Sequence, residues 1–254
     1  MIANFVYFVK SMPDNRHSPH YPMRVNRYLA QKGIATRRDA DILIEKKKVF
    51  INDRLAVLGD KVIEDDVVEV RSKGTPKKYR YFAYNKPTGV ITHSPQFGEE
   101  DIEKETRKFP ELRGTFPVGR LDKDSHGLII LTNDGRVTDR MLNPSYEHEK
   151  EYLVRVRKPL RDSFQKNMES GVDIEGYRTK TAIVKRLGDL SFRITLTEGK
   201  KHQIRRMVAA LHNEVADLKR VRIMSITLGD LSPGSYRSIE KEELSLFLKT
   251  LGLQ

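Results

Sequence analysis

The sequence predicts an α+β fold in two parts, a small α/β unit followed by a large domain on a mainly antiparallel mixed sheet. Three observations carry this. Two amphipathic helical patterns fall close together between Arg24 and Ile44. A cationic stretch with Gly and Pro, "RSKGTPKKYR" (Arg71–Arg80), then interrupts the pattern. Beyond it, short apolar runs of strand type outnumber helical ones.

In chain order, residues 1–22 show no periodicity and carry His17, Pro19, His20 and Pro22, which reads as a weakly ordered extension. Met23 opens the first patterned segment and is an alternative start. Val25, Tyr28 and Leu29 then recur at helical spacing, with Gly33 placed as a C-terminal cap. Thr36-Arg-Arg-Asp39 has capping-box form ahead of Ala40, Leu43 and Ile44. Val49–Ile51 reads as a strand, Asn52-Asp53 as a turn and Val62–Val70 as a second β stretch. The small unit is thus expected over 23–70, the linker over 71–79 and the large domain over 80–254.

In the large domain, Tyr81–Tyr84 and Gly89–Thr92 read as strands around the turn Asn85–Gly89. Leu128–Thr132 reads as a buried strand, and Tyr152–Val156, Leu190–Leu196 and Val221–Leu228 as further ones. Ile204, Met207, Val208 and Leu211 form one stripe of a helix over 202–212, and Leu244, Phe247, Leu248 and Leu251 mark the last helix. Residues 93–114 are long and charged, and read as a flexible loop.

The chain has 254 residues, with 47 Lys and Arg against 35 Asp and Glu and a formal charge of +12. Such a field attracts polyanions, either nucleic acid or anionic membrane. No basic helix with a bulky aromatic face supports the membrane reading. With no cysteine, disulfides and Cys-based metal sites are excluded. The seven histidines show no HExxH spacing, and neither a P-loop nor GxGxxG occurs. No metal and no cofactor is therefore expected. The apolar run Ile2–Val9 is interrupted by Asn4 and too short to span a bilayer, so cytoplasmic residence is expected.

In the small unit Arg24, Arg27, Lys32, Arg37, Arg38, Lys46, Lys47 and Lys48 share one sign across both helices and their junction. A solvated helix face is the plain reading, and a phosphate-binding surface is the functional one.

The charged stretch "GRLDKDSHGLIILTNDG" (Gly119–Gly135) abuts a strand of five residues, Leu128–Thr132. Asp122 lies there between glycines that let backbone or ligand come close. Taken alone, it reads first as a turn former whose carboxylate binds its own backbone. Asp124, Ser125 and His126 are near-consecutive, so they cannot converge as a hydrolytic triad. Ser125 and His126 read as loop polar groups, Asp124 as a supporting acceptor, and Asn133-Asp134-Gly135 as a turn or cap before Val137–Leu142.

Three segments in this order, "RLDKDSHGLIILTNDG", "HEKEYLV" (His148–Val154) and "EGKKHQIRRM" (Glu198–Met207), resemble the RsuA-type bacterial ribosomal RNA pseudouridine synthases. "NKPTGVIT" (Asn85–Thr92) and "LKRVRIMSITLGDL" (Leu218–Leu231) resemble the same family, and "HEKEYLV" with "RVRIM" is most similar to its RluF-like large-subunit branch. The small unit resembles the S4 RNA-binding domain. The likeness covers about residues 23–250. The helix over 202–212 ends in His212-Asn213 where the family commonly has Gly, and Asn tolerates a left-handed cap.

The resemblance implies site-specific isomerisation of uridine to pseudouridine in ribosomal RNA or a ribosomal subunit precursor, by a monomer without cofactor. It assigns Asp122 as nucleophile, Tyr152 as the ring beneath the base, and Arg205 as the cation paired with Asp122. Arg120 is the residue that enters the RNA when the uridine leaves it. The chemistry agrees: an Arg favours the ionised carboxylate, a Tyr offers a stacking face, and a base inside folded RNA must be flipped. Arg205 is accordingly expected within hydrogen-bonding reach of Asp122, with Tyr152 lining the same pocket. The alternative is a non-catalytic, ribosome-associated RNA-binding factor bearing an S4 domain.

Overall fold

The computed structural model describes residues 5–9, 21–72, 78–92 and 99–253. The chain divides into two compact units: Met1–Tyr79 with Asp134–Asp139, and Arg80–Asn133 with Arg140–Gln254.

The first unit holds β1 (Phe5–Val9), β2 (Met23–Arg24), α1 (Val25–Gln31), α2 (Arg37–Glu45), β3 (Val49–Ile51), β4 (Arg54–Leu55), β5 (Lys61–Val62) and β6 (Val68–Ser72). Val25, Tyr28 and Leu29 bury the inner face of α1, which ends as expected: Gly33 turns left-handed (φ 72°) and the Ile34 amide returns to the Leu29 carbonyl at 3.0 Å. Thr36 caps α2, its hydroxyl accepting from the Asp39 amide at 3.0 Å. Asn52 and Asp53 both take positive φ, the conformation a two-residue hairpin turn requires between β3 and β4.

Two expectations for this part are corrected. The stretch Val62–Val70 is two strands, because the Asp66 carboxylate accepts the Ile63 amide at 2.8 Å and closes a turn between them. Phe5–Val9, expected in a weakly ordered extension, pairs antiparallel with β6 and completes a sheet of order β1-β6-β3-β4. An apolar run beside an open strand edge has that edge to pair with. The rest of residues 1–20 lies outside the described residues, as do 73–77 of the linker.

The second unit is built on β7 (Tyr81–Lys86), α3 (Ile102–Arg107), β8 (Phe116–Val118), β9 (His126–Thr132), the end of α4 (Arg136–Leu142), β10 (Lys150–Val156), α5 (Phe164–Glu169), β11 (Ile183–Gly188), β12 (Ser191–Leu196), α6 (Gln203–Ala210), β13 (Val215–Ile223), β14 (Ile226–Thr227), β15 (Tyr236–Ser238) and α7 (Lys241–Thr250). The sheet runs β11-β12-β10-β13-β9-β7-β15, with β14 on β13 and β8 on β9. The β9–β13 pair is parallel and the other described pairs are antiparallel, so the expected mixed, mainly antiparallel sheet is the one observed. Val154, Phe192, Ile194, Met207, Val208 and Leu218 join α6 to one face of the sheet. On β9, Leu128–Leu131 are fully buried, a run too continuous for a strand with one wet face.

Here too the reading needs correction. Gly89–Thr92 contributes only a bridge between Ile91 and Asp101, and β7 continues through Asn85 and Lys86. The segment expected as a loop over 93–114 contains α3, capped by Asp101 on the Lys104 amide at 2.8 Å, with Ile102 and Leu112 buried. Residues 93–98 of it lie outside the described residues. Val221–Leu228 is the end of a longer strand and a hairpin, reversed at Met224 (φ 52°). His212, not Asn213, takes the left-handed cap of α6 (φ 62°). Among the described residues no helix is long and apolar enough to cross a membrane.

Candidate active site

Asp122 sits on the loop between β8 and β9, and buried groups hold that loop from beneath. Thr92 Oγ1 donates to the Leu121 carbonyl at 2.7 Å and accepts the Leu121 amide at 3.1 Å. The Ser125 amide turns back to the Asp122 carbonyl at 3.1 Å. Lys86, fully buried at the end of β7, donates from Nζ to the carbonyls of Pro87 at 2.9 Å and Val90 at 2.7 Å, and more weakly to Lys123 at 3.4 Å. Burial pulls this ammonium down to about 8, against the opposing pull of Asp122 and Asp124, and Arg220 pushes it the same way as burial.

Arg220, buried on β13, donates Nε to the Leu128 carbonyl at 2.7 Å and Nη1 to the Arg120 carbonyl at 3.2 Å. Gly127 is opposite it on β9 with φ 103°, and a Cβ there would fall against the Arg220 carbonyl oxygen, well inside van der Waals contact. Glycine is therefore required where the loop enters the strand.

Tyr152 lies on β10, directly across from Arg220 on β13 and Ile194 on β12, half-buried against the apolar core. Lys150, two residues earlier on the same strand face, has its ammonium lowered by burial first and by Arg220 second. At the start of α6, His202 takes a left-handed backbone (φ 52°) and brings Nε2 to 3.5 Å from Asp122 Oδ1. Buried Gln203 anchors that turn, donating to Glu198 at 2.8 Å and accepting the Lys200 amide at 2.9 Å. Glu198 is itself held by the Tyr177 hydroxyl at 2.6 Å and the Lys180 amide at 3.0 Å.

Together these elements line a cavity of about 580 Å³ whose wall includes Arg120, Asp122, Lys150, Tyr152, His202 and Arg220. Asp122 and Tyr152 thus share one pocket, and Arg120 stands exposed at its wall. Arg205 is placed differently from expectation. Its Nη2 donates to the Asp124 carbonyl at 3.1 Å and to Ser125 Oγ at 3.4 Å, and it is not among the residues lining the cavity. The α6 turn puts His202, not Arg205, nearest the Asp122 carboxylate, and Arg205, one helical turn on, meets the far side of the loop. His126 donates from Nε2 to the Asp217 carboxylate at 3.0 Å, and so is more than a loop polar group.

Lys86, Arg220 and His202 were not singled out from sequence. Lys86 and His202 stand inside the quoted motifs "NKPTGVIT" and "EGKKHQIRRM", and Arg220 inside "LKRVRIMSITLGDL". For Lys86 and Arg220 the signal is a charged residue in a run otherwise fit for a buried strand, and His202, in a polar run ahead of a helix, carries none. Among the described residues no group of three or more His, Asp or Glu could hold a metal ion. In the small unit Arg24, Arg27, Arg37, Arg38, Lys46 and Lys47 are exposed and Lys48 is half-buried.

A family model described as RNA pseudouridylate synthase matches residues 80–210. The dual-specificity RNA pseudouridine synthase RluF of Salmonella typhi is 40% identical over 225 residues, covering 87% of this chain and 77% of that protein. An uncharacterised RNA pseudouridine synthase of Aquifex aeolicus is 38% identical over 242 residues, 91% of this chain and 96% of its own length. A solved pseudouridylate synthase crystal structure superposes with a TM-score of 0.65 at 29% identity, over 90% of this chain and 99% of that one.

Proposed function

The chain belongs to the RNA pseudouridylate synthase family, and on that premise we propose a division of labour among its residues and a ribosomal RNA substrate. The enzyme isomerises uridine to pseudouridine in RNA. The C1′–N1 bond breaks, the base turns, C1′ bonds to C5, the C5 proton leaves and N1 gains one. Nothing is consumed, so the reaction calls for no cofactor.

Asp122 is the nucleophile, either adding to the sugar or assisting base departure by taking the C2′ proton. Tyr152 stacks against the flipped base from the β10 side of the pocket. Arg120, exposed at the cavity wall, fills the gap the base leaves in the RNA. Arg205 acts through the loop it binds at Asp124 and Ser125, not by pairing with Asp122. The small unit is an S4-type RNA-binding domain whose Arg24, Arg27, Arg37, Arg38 and Lys46–Lys48 bind phosphates, which position the protein without reading sequence.

The observation that carries this reading is the placing of Asp122 and Tyr152 on the wall of one cation-rich cavity. The likeness of "HEKEYLV" and "RVRIM" to the large-subunit branch is what favours a large-subunit ribosomal RNA substrate. Mapping pseudouridine across ribosomal RNA from cells lacking this protein tests it. A single large-subunit position, or a few, should revert to uridine. An unchanged ribosomal map with a lost position in another RNA would overturn the substrate.

A further inference from the structure

We propose that Arg220 is a positioning residue of the reaction: it holds the Asp122 loop at a set height over Tyr152 and places a fixed positive charge beneath it. The inference rests on the reading of Asp122 as nucleophile. In one row across three strands, Tyr152 on β10 pairs with Arg220 on β13, and Arg220 pairs with Gly127 on β9. One residue therefore touches the strand carrying the stacking ring and the strand that ends the nucleophile's loop.

Its side chain closes the loop from below. The carbonyls it binds, Arg120 and Leu128, lie on either side of Asp122 in sequence. A planar guanidinium presents Nε and Nη1 to the two in a rigid fork, a spacing the single nitrogen of an ammonium does not reproduce. Gly127 brings the backbones of the two strands close enough for this reach.

The electrostatics are unusual for a residue with a purely packing role. Arg220 is 3% exposed, and among the described residues no carboxylate lies within ion-pair distance of it. Its Nη2 is buried without a hydrogen-bond partner. A buried, unpaired cation is costly, and such sites collect where chemistry needs them. Besides His202, whose Nε2 lies 3.5 Å from Asp122 Oδ1, the charged residues lining the cavity with Asp122 are Arg120, Lys150, Glu198, Lys200, Lys201 and Arg220. Of these cations Arg220 alone is buried.

The test is single-turnover isomerisation of an RNA stem-loop by Arg220→Lys, Arg220→Met and Asp122→Asn in the full chain, with RNA affinity, unfolded fraction and amide exchange measured in parallel. Arg220→Lys keeps the charge and loses the fork. Its rate should fall roughly 100-fold, as expected for a displacement near 1 Å. Its RNA affinity should stay within about twofold, and its amides over 119–128 should exchange faster while β10 and β12 hold. The rate of Arg220→Met, which loses both the charge and the fork, should fall at least as far. A fully active Arg220→Lys overturns the proposal, as does weakened RNA binding with an unchanged rate. A loss matched by the unfolded fraction shows a merely structural residue and overturns the proposal. If Asp122→Asn stays active, the nucleophile reading fails. If Asp122→Asn is dead and both Arg220 variants are active, only this inference fails.

Discussion

His202 presents Nε2 3.5 Å from Asp122 Oδ1, from a left-handed residue at the head of α6. A non-glycine residue in that conformation carries backbone strain, and Gln203 anchors the turn that keeps it there. Both side chains are over a third exposed, so the pair is screened. His202→Gln should lower the isomerisation rate by about tenfold or less, a loss near 1 kcal/mol. Rate constants at two salt concentrations check this, and a 100-fold loss would give His202 a proton-transfer role instead.

Arg205 and Ser125 should be energetically coupled. Ser125 is buried, and its hydroxyl and the adjacent carbonyl of Asp124 share one guanidinium nitrogen. A double-mutant cycle of Arg205→Ala and Ser125→Ala should give about 0.5–1.5 kcal/mol in thermal unfolding. Zero coupling would mean that Arg205 is only a solvated side chain on α6.

Lys86 sets a pH dependence of stability. Its folded-state value, about 8, lies below the ordinary 10.5, so between these the unfolded chain binds more protons than the folded one. Stability should therefore rise from about pH 8 towards 10, by at most ~3 kcal/mol. Tyr28 and Tyr84, pushed up to about 12 chiefly by burial, act oppositely above pH 10, where the folded chain holds the extra protons. Denaturant unfolding between pH 7.5 and 9.5 should show a rising slope in the wild type and a flatter one in Lys86→Met. Equal slopes would remove Lys86 as the cause.

Gly127→Ala should destabilise the large unit by at least ~2 kcal/mol, since overpacking and a positive φ add. The new Cβ would press on the Arg220 backbone, which belongs to a central strand and cannot yield. A thermal melt within error of wild type would show that the β9–β13 contact is looser than described.

The elements legible in sequence were those whose period stood clear of their surroundings. Val25, Tyr28 and Leu29 marked α1, Thr36 its successor, and Phe192, Ile194 and Leu196 a strand. Helix α3 was not legible, because its charged sequence "IEKETR" shows a single buried apolar residue, Ile102, within six residues. Strand β11 was hidden likewise, with Ile183 and Leu187 exposed and Val184 alone buried. Asp122 and Tyr152, which share the cavity, were named by the resemblance alone, because local pattern reads the first as a turn former and the second as an ordinary strand aromatic. The resemblance misplaced Arg205's contact by one helical turn, because which face of α6 meets the loop depends on the His202 backbone, a tertiary detail. Lys86 and Arg220 were hidden for a related reason: a buried cation satisfied by backbone carbonyls leaves no sequence partner to find.

The central claim, that Asp122 performs the chemistry in the pocket it shares with Tyr152, is tested most directly by single-turnover isomerisation with Asp122→Asn. The substitution keeps size and removes charge and nucleophilicity. The predicted result is a rate below about a hundredth of wild type, with RNA affinity little changed. A variant that converts uridine above that fraction, or one that loses activity only because it no longer binds RNA, would contradict the claim.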